Sequence, residues 1–195
     1  MNGQGELLFI NGDQYKGQFV NNSPNGQGVI SFYNGDVYKG DVVSGKLEGH
    51  GTFTWKNGNE YIGDWKDNKP EGHGQSKQIN GEHYTGAYEK GQRSGQGKTI
   101  NYKGEIYEGS FLNDMPNGYG DFTNENGDIY KGEWVNGKQE GKALWEYKDG
   151  YVYDGEYKNG FMNGHGKLTW PNGTFYDGEW NDHRMHGKGQ FKNED

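Results

Sequence analysis

The sequence predicts an all-β protein, a single elongated antiparallel sheet built as a meander or solenoid of about eight 23-residue hairpins. Three observations predict it: a fixed 23-residue period, apolar alternation with period two inside the unit, and a turn signal between alternating runs. The tyrosines of the Y-x-G units are Tyr15, Tyr38, Tyr61, Tyr84, Tyr107, Tyr130, Tyr153 and Tyr176, every one 23 residues after the last. Two residues on stands a glycine, from Gly17 to Gly178. Two further on stands Phe19, Val42, Trp65, Tyr88, Phe111, Trp134, Tyr157 or Trp180. A G-x-G pair then follows, Gly26/Gly28 first and Gly187/Gly189 last; Ala143 breaks the pattern after Gly141, and Gly3/Gly5 lead the first tyrosine.

Each element follows from that pattern. In the run from Val37 to Val43, Tyr38, Gly40 and Val42 point one way and Val37, Lys39 and Asp41 the other; Gly28, Ile30 and Phe32 continue the first face. Between such strands sits Asn11-Gly12, Asn34-Gly35, Asn57-Gly58, Asn80-Gly81, Lys103-Gly104, Asn126-Gly127, Asp149-Gly150 or Asn172-Gly173. A two-residue turn there would put Ile30 and Tyr38 on opposite faces. A three-residue loop, Tyr33-Asn34-Gly35 with its glycine left-handed, pairs Ile30 with Tyr38 and Gly28 with Gly40. Pro171 at the first loop position of the last hairpin agrees with a type I turn. The longer connection, Val43 to Glu48, then sets Gly51 opposite Gly40 and Phe53 opposite Tyr38. Glycine on every strand makes a bare row over which rings can lie, so glycine and ring are two halves of one packing unit. The expected hairpins lie near 3–20, 26–43, 49–66, 72–89, 95–112, 118–135, 141–158 and 164–181, with a final strand at 187–193, all in one domain over 1–195. Seventeen strands at about 4.8 Å would give a ribbon roughly 80 Å long. Lys192, Glu194 and Asp195 would discourage growth at the last edge; the run from Gly5 to Phe9 is the less protected one, and the terminal edges offer a route to homo-oligomers.

Composition limits the function classes. The hydrophobic share is 29%, low for a globular chain, but 15% of residues are aromatic and 37 are glycine, so the apolar area to be buried sits in rings. No cysteine is present, which removes disulfides and thiol chemistry. No run approaches the roughly 18 apolar residues of a membrane span, and Met1 leads straight into patterned sequence rather than a signal peptide. A net charge of −8 disfavours nucleic acid and anionic membrane as partners. The expected location is cytoplasmic.

The period, Y-x-G-x-aromatic, G-x-G, the Asn-Gly hairpin and a residue prone to left-handed backbone at the eighth position (Asn22, Gly45, Asn68, Gly91, Asp114, Gly137, Gly160, His183) together resemble the MORN repeat over essentially the whole chain. That resemblance implies a single-sheet antiparallel solenoid with a grooved concave face. It also implies an adaptor or scaffold in a cytoskeletal, ciliary or membrane-contact assembly. Phosphoinositide binding is reputed for the family, and where its members carry catalysis another domain supplies it.

No catalytic constellation can be assigned, and no cofactor or metal is called for. His50, His73 and His165 recur at one repeat position, but equivalent positions lie two strands apart, on the order of 9.6 Å, too far to share an ion easily. Asp41, Asp64, Glu133, Glu156 and Glu179 form an acidic row on the outer face, which reads as a solvated face rather than a tuned acid–base pair. A partner must then use surface that departs from packing needs. One candidate row is Phe9, Phe32, Trp55, Gln78, Asn101, Asn124, Tyr147, Trp170 and Asn193, aromatic at both ends and polar in the middle, with Ser76 and Thr99 polar at the position before. Its rings suit a helix or extended peptide of a partner protein. A second candidate is the long edge connections carrying Leu47, Met115, Phe161, Met162 and Met185. The expected function is a non-catalytic scaffold. The alternative, a peripheral membrane or phosphoinositide-binding module, would want a basic cluster, and Lys66, Lys69, Lys90, Arg93 and Lys98 make a thin one.

Overall fold

A computed structural model describes residues 1–193; Glu194 and Asp195, expected to protect the last edge, lie outside them. The fold is all-β, and the strands gather into two compact units, Met1–Ser94 and Gly95 onward.

In the first unit β1 (Gly3–Leu8), β2 (Gln14–Val20), β3 (Ser23–Ser31), β4 (Val37–Val43), β5 (Lys46–Thr54), β6 (Glu60–Lys66), β7 (Lys69–Lys77) and β8 (His83–Glu89) pair with their sequence neighbours as an antiparallel meander. In the second unit β9 (Gln92–Ile100), from Gly95 on, pairs with β10 (Ile106–Leu112). The meander continues through β11 (Met115–Thr123), β12 (Ile129–Val135), β13 (Lys138–Glu146), β14 (Val152–Lys158), β15 (Phe161–Thr169), β16 (Phe175–Asn181) and β17 (Arg184–Lys192).

The two edges use different turns. At one edge the connection is the three-residue loop: Ile30 pairs with Tyr38, the Gly35 N–H donates to Phe32 O at 2.9 Å, and Gly35 takes φ +96°. At the other edge the chain reverses in two residues, both left-handed, as at Ser44 (φ 50°) and Gly45 (φ 78°). That is a type I′ turn, whose twist matches its strands. The six-residue connection expected from Val43 to Glu48 is therefore mostly strand: Val42 pairs with Leu47 and Val43 with Lys46, and the surplus residues form a bulge before Gly51. The first glycine of each G-x-G sits in that bulge with positive φ, Gly49 at 58°.

The second glycine has another task. Gly51 pairs with Gly40 and Gly63, and a Cβ there would lie 2.5 Å from Cε2 of Tyr38. The tyrosine ring lies flat on the next strand's bare backbone, which explains both halves of the pattern. Its hydroxyl donates to a backbone carbonyl three residues on: Tyr15 to Gln18 O, Tyr38 to Asp41 O and Tyr107 to Ser110 O, each 2.8 Å. Tyr38, Tyr130 and Tyr153 are fully buried. Edge-to-face ring pairs such as Tyr61–Trp65 (5.1 Å) and Tyr176–Trp180 (5.4 Å) complete the core row. Trp65, Trp134 and Trp180 each donate Nε1–H to the glycine-row carbonyl of Gly51, Gly120 or Gly166, at 3.2, 3.1 and 2.8 Å.

Candidate functional site

On the face opposite the tyrosines, the acidic row is drawn into the bulges. Asp41 Oδ2 accepts the His50 N–H at 2.9 Å, and Asp64 Oδ2 accepts the His73 N–H at 3.2 Å. These carboxylates satisfy backbone donors that the bulge removes from the ladder. His50 Nδ1 also meets Asp64 Oδ1 at 3.2 Å, and that hydrogen bond, with the His73 N–H, holds the Asp64 carboxyl below its usual range. Among the described residues no three His, Cys, Asp or Glu side chains are grouped to hold a metal ion.

The tyrosine face carries the candidate row. Phe32, Trp55, Tyr147 and Trp170 are half-buried, whereas the neighbouring core rings are closed to solvent; Phe9, at the foot of the first loop, is exposed. In the first unit Phe53 gathers Phe32 (5.5 Å), Trp55 (4.8 Å) and Trp65 (5.7 Å) into one cluster. In the second unit Tyr147 stacks on Trp145 at 5.6 Å, and Trp170 lies 6.4 Å from Phe191.

The polar middle of the row has local work. Asn101 Oδ1 accepts the N–H groups of Lys103 and Glu105, and its Nδ2 donates to Glu105 Oε2 at 2.6 Å. Asn124 makes the same three bonds, to Asn126 and Asp128. Elsewhere the loop asparagine itself serves, as Asn34 Oδ1 does for the Asp36 N–H. Ser76 accepts the Tyr88 hydroxyl at 3.0 Å. These residues clamp loops and satisfy a core hydroxyl.

The edge candidates are not loop residues. Leu47 and Met162 are buried on β5 and β15, paired with Val42 and Tyr157, because the short I′ turn places them in the strand and on the core row. Met115, Phe161 and Met185 also lie on strands, at β11, β15 and β17, and are exposed; Phe161 packs on the His183 ring at 5.2 Å.

A cavity of about 850 Å³ opens on the tyrosine face of the second unit, lined among others by Tyr147, Tyr151, Met162, Leu168 and Trp180, with Glu125, Asp128 and Asp149 at its loop-edge end. Tyr147 and Met162 are the candidate residues that the structure brings together there. Tyr151, Glu125 and Asp149 were not anticipated. The signal available for them was the first and second loop positions, where Glu125 and Asp149 depart from Ile10, Tyr33 and the recurrent asparagine. Burial raises the Tyr147 hydroxyl above its ordinary range, with the Asp128 charge adding to it.

Two solved structures share this architecture at low identity. The CPAP G-box domain, described as a microcephaly protein domain with a suggested role in centriole elongation, aligns at TM-score 0.57 and 13% identity over 99% of this chain and 100% of its own. The TCP10 domain of Danio rerio CPAP, solved with a peptide of Danio rerio STIL, aligns at 0.55 and 13% over 91% of this chain and 80% of its own. No curated protein matches the chain. The family model for the MORN repeat matches eight times, at residues 15–37, 38–60, 61–82, 84–105, 107–129, 130–150, 153–175 and 176–195. With the Y-x-G tyrosine and its glycine recurring in each match, the chain belongs to the MORN-repeat family.

Proposed function

We propose that the chain is a non-catalytic scaffold whose tyrosine face takes a segment of a partner protein, as a helix or an extended peptide. The observation that carries this reading is the row Phe32, Trp55, Tyr147 and Trp170, held half-buried beside a core row whose tyrosines are closed. Rings fixed by packing yet open on one side are low-entropy anchors for a partner. The STIL peptide bound by a TCP10 domain of similar fold supports a peptide as the guest, and the role in centriole elongation suggested for the G-box domain supports a cytoskeletal assembly as the context.

Affinity capture from host lysate tests it, comparing the native chain with a Trp55→Ala/Trp170→Ala double variant whose fold is checked by circular dichroism. The expected result is a partner captured by the native chain and lost from the folded variant. A partner retained at the native level by the folded variant would move recognition off this row.

A further inference from the structure

The cavity of the second unit is polarised from end to end. Its floor is formed by Met162, Leu168 and Trp180 of β15 and β16, with the His183 ring beside Met162, whose N–H donates to His183 Nδ1 at 3.4 Å. Its far end lies at the three-residue loops, where Glu125, Asp128 and Asp149 line it. Asp128 is committed there: Oδ1 accepts the Lys148 N–H at 2.9 Å and Oδ2 the Asn124 amide at 2.8 Å. Glu125 and Asp149 are exposed and engage no partner among the described residues. The one lysine on this rim, Lys148, lies along the preceding loop, 3.6 Å from the place a Cβ would take at Gly127. The Tyr147 and Tyr151 rings stand edge to face beside these acids, 6.5 Å apart. Free carboxylates next to tyrosine faces favour a cation, and a row of like charges repels an acidic guest.

We propose that this cavity seats a partner segment with an apolar side chain on the Leu168–Trp180 floor and an arginine or lysine at the loop edge, held between Glu125, Asp149 and the tyrosine rings. Leu168, near the end of β15, stands two residues before Trp170 at the foot of its loop, so an extended guest running along β15 carries its cation two or three residues from the apolar anchor, at ~3.3 Å per residue. The assignment rests on the scaffold reading and names the chemistry of its guest.

Selection from a random linear-peptide library on the immobilised full chain tests it, followed by affinity measurement on the native chain and on a Glu125→Gln/Asp149→Asn variant. Both side chains are exposed and unbonded, so the variant keeps the fold, which circular dichroism checks. The expected result is enrichment of arginine or lysine two or three residues from an apolar residue. The affinity should fall about tenfold on the variant and weaken as salt is raised. Enriched peptides that are acidic or purely apolar, or basic ones bound equally by the variant, would overturn the cation seat and leave the scaffold standing. If no peptide binds the native chain, both fall.

Discussion

The two units are copies of one template, and one pair of equivalent positions shows what variation on it does. In the first unit the pair is Ser76 and Tyr88, and the tyrosine hydroxyl donates to the serine at 3.0 Å. Sixty-nine residues on, three periods later, the pair is Trp145 and Tyr157. Tryptophan has no acceptor to offer, so the rings stack, 6.4 Å apart and 27° from parallel. The Tyr157 hydroxyl and the Trp145 Nε1–H are left buried without partners. The second unit also interrupts the glycine row with Ala143 and hollows its tyrosine face into the cavity. In the first unit the small residue of the pair satisfies the hydroxyl above it. Enlarging one residue of the pair gives up that satisfaction and builds up the wall of rings on which Tyr147 stands.

The comparison can be broken most forcefully at the glycine row. Gly51→Ala should cost about 3 kcal/mol in urea unfolding, because the new Cβ meets the Tyr38 ring against rigid backbone. Ala143→Gly, at the equivalent position of the second unit, should stay within about 1 kcal/mol of the native chain, the Tyr130 hydroxyl already reaching Glu133 O at 3.0 Å with alanine present. Equal costs at the two sites would mean that the rows are not equivalent. Asn124→Ala should cost about 1–2 kcal/mol by releasing three loop bonds, while Gln78→Ala, at the same repeat position, should change stability by less than about 0.5 kcal/mol.

The hydroxyl pair gives a sharper, smaller contrast. Tyr88→Phe should lose about 1 kcal/mol with its bond to Ser76, and Tyr157→Phe should be neutral or stabilising, since it removes a buried donor that has no acceptor. A Tyr157→Phe loss as large as that of Tyr88→Phe would assign that hydroxyl a partner. Last comes pH. Burial pushes the hydroxyls of Tyr15, Tyr38, Tyr61, Tyr107, Tyr130, Tyr153 and Tyr157 above their ordinary 10.0, Tyr107 to about 12. The folded chain then keeps protons that the unfolded chain releases, so stability is full below pH about 10 and falls between about 10 and 12. Denaturant midpoints across that range, alongside tyrosinate absorbance, check the sign.

Much of the fold was legible because its positions are constrained by backbone geometry. Only a three-residue loop could bring Ile30 and Tyr38 to one face, and that register is the one found. The opposite edge reads as a longer connection in the sequence because a bulge hides strand alternation: between Leu47 and Gly51 the period-two pattern slips. The signal was there in Pro24, Leu47, Pro70, Pro116 and Met162, one repeat position that faces the core row and would have placed Leu47 and Met162 in it. The polar middle of the candidate row could not be resolved from spacing, since whether Asn124 or Asn126 caps the loop depends on side-chain reach rather than register. The cavity was legible only in part, at Tyr147 and Met162, because its acids come from loop tips that the repeat leaves free to vary.

The most direct test uses the six tryptophans as reporters, two in the first unit and four in the second. Fluorotryptophan would be incorporated throughout and each fluorine resonance assigned by single Trp→Phe variants. A selected basic peptide would then be titrated in. The account predicts that Trp180, on the cavity floor, shifts most, while Trp65, bonded to Gly51 O in the closed core, stays fixed. A peptide that binds and leaves the Trp180 resonance where it was would contradict it.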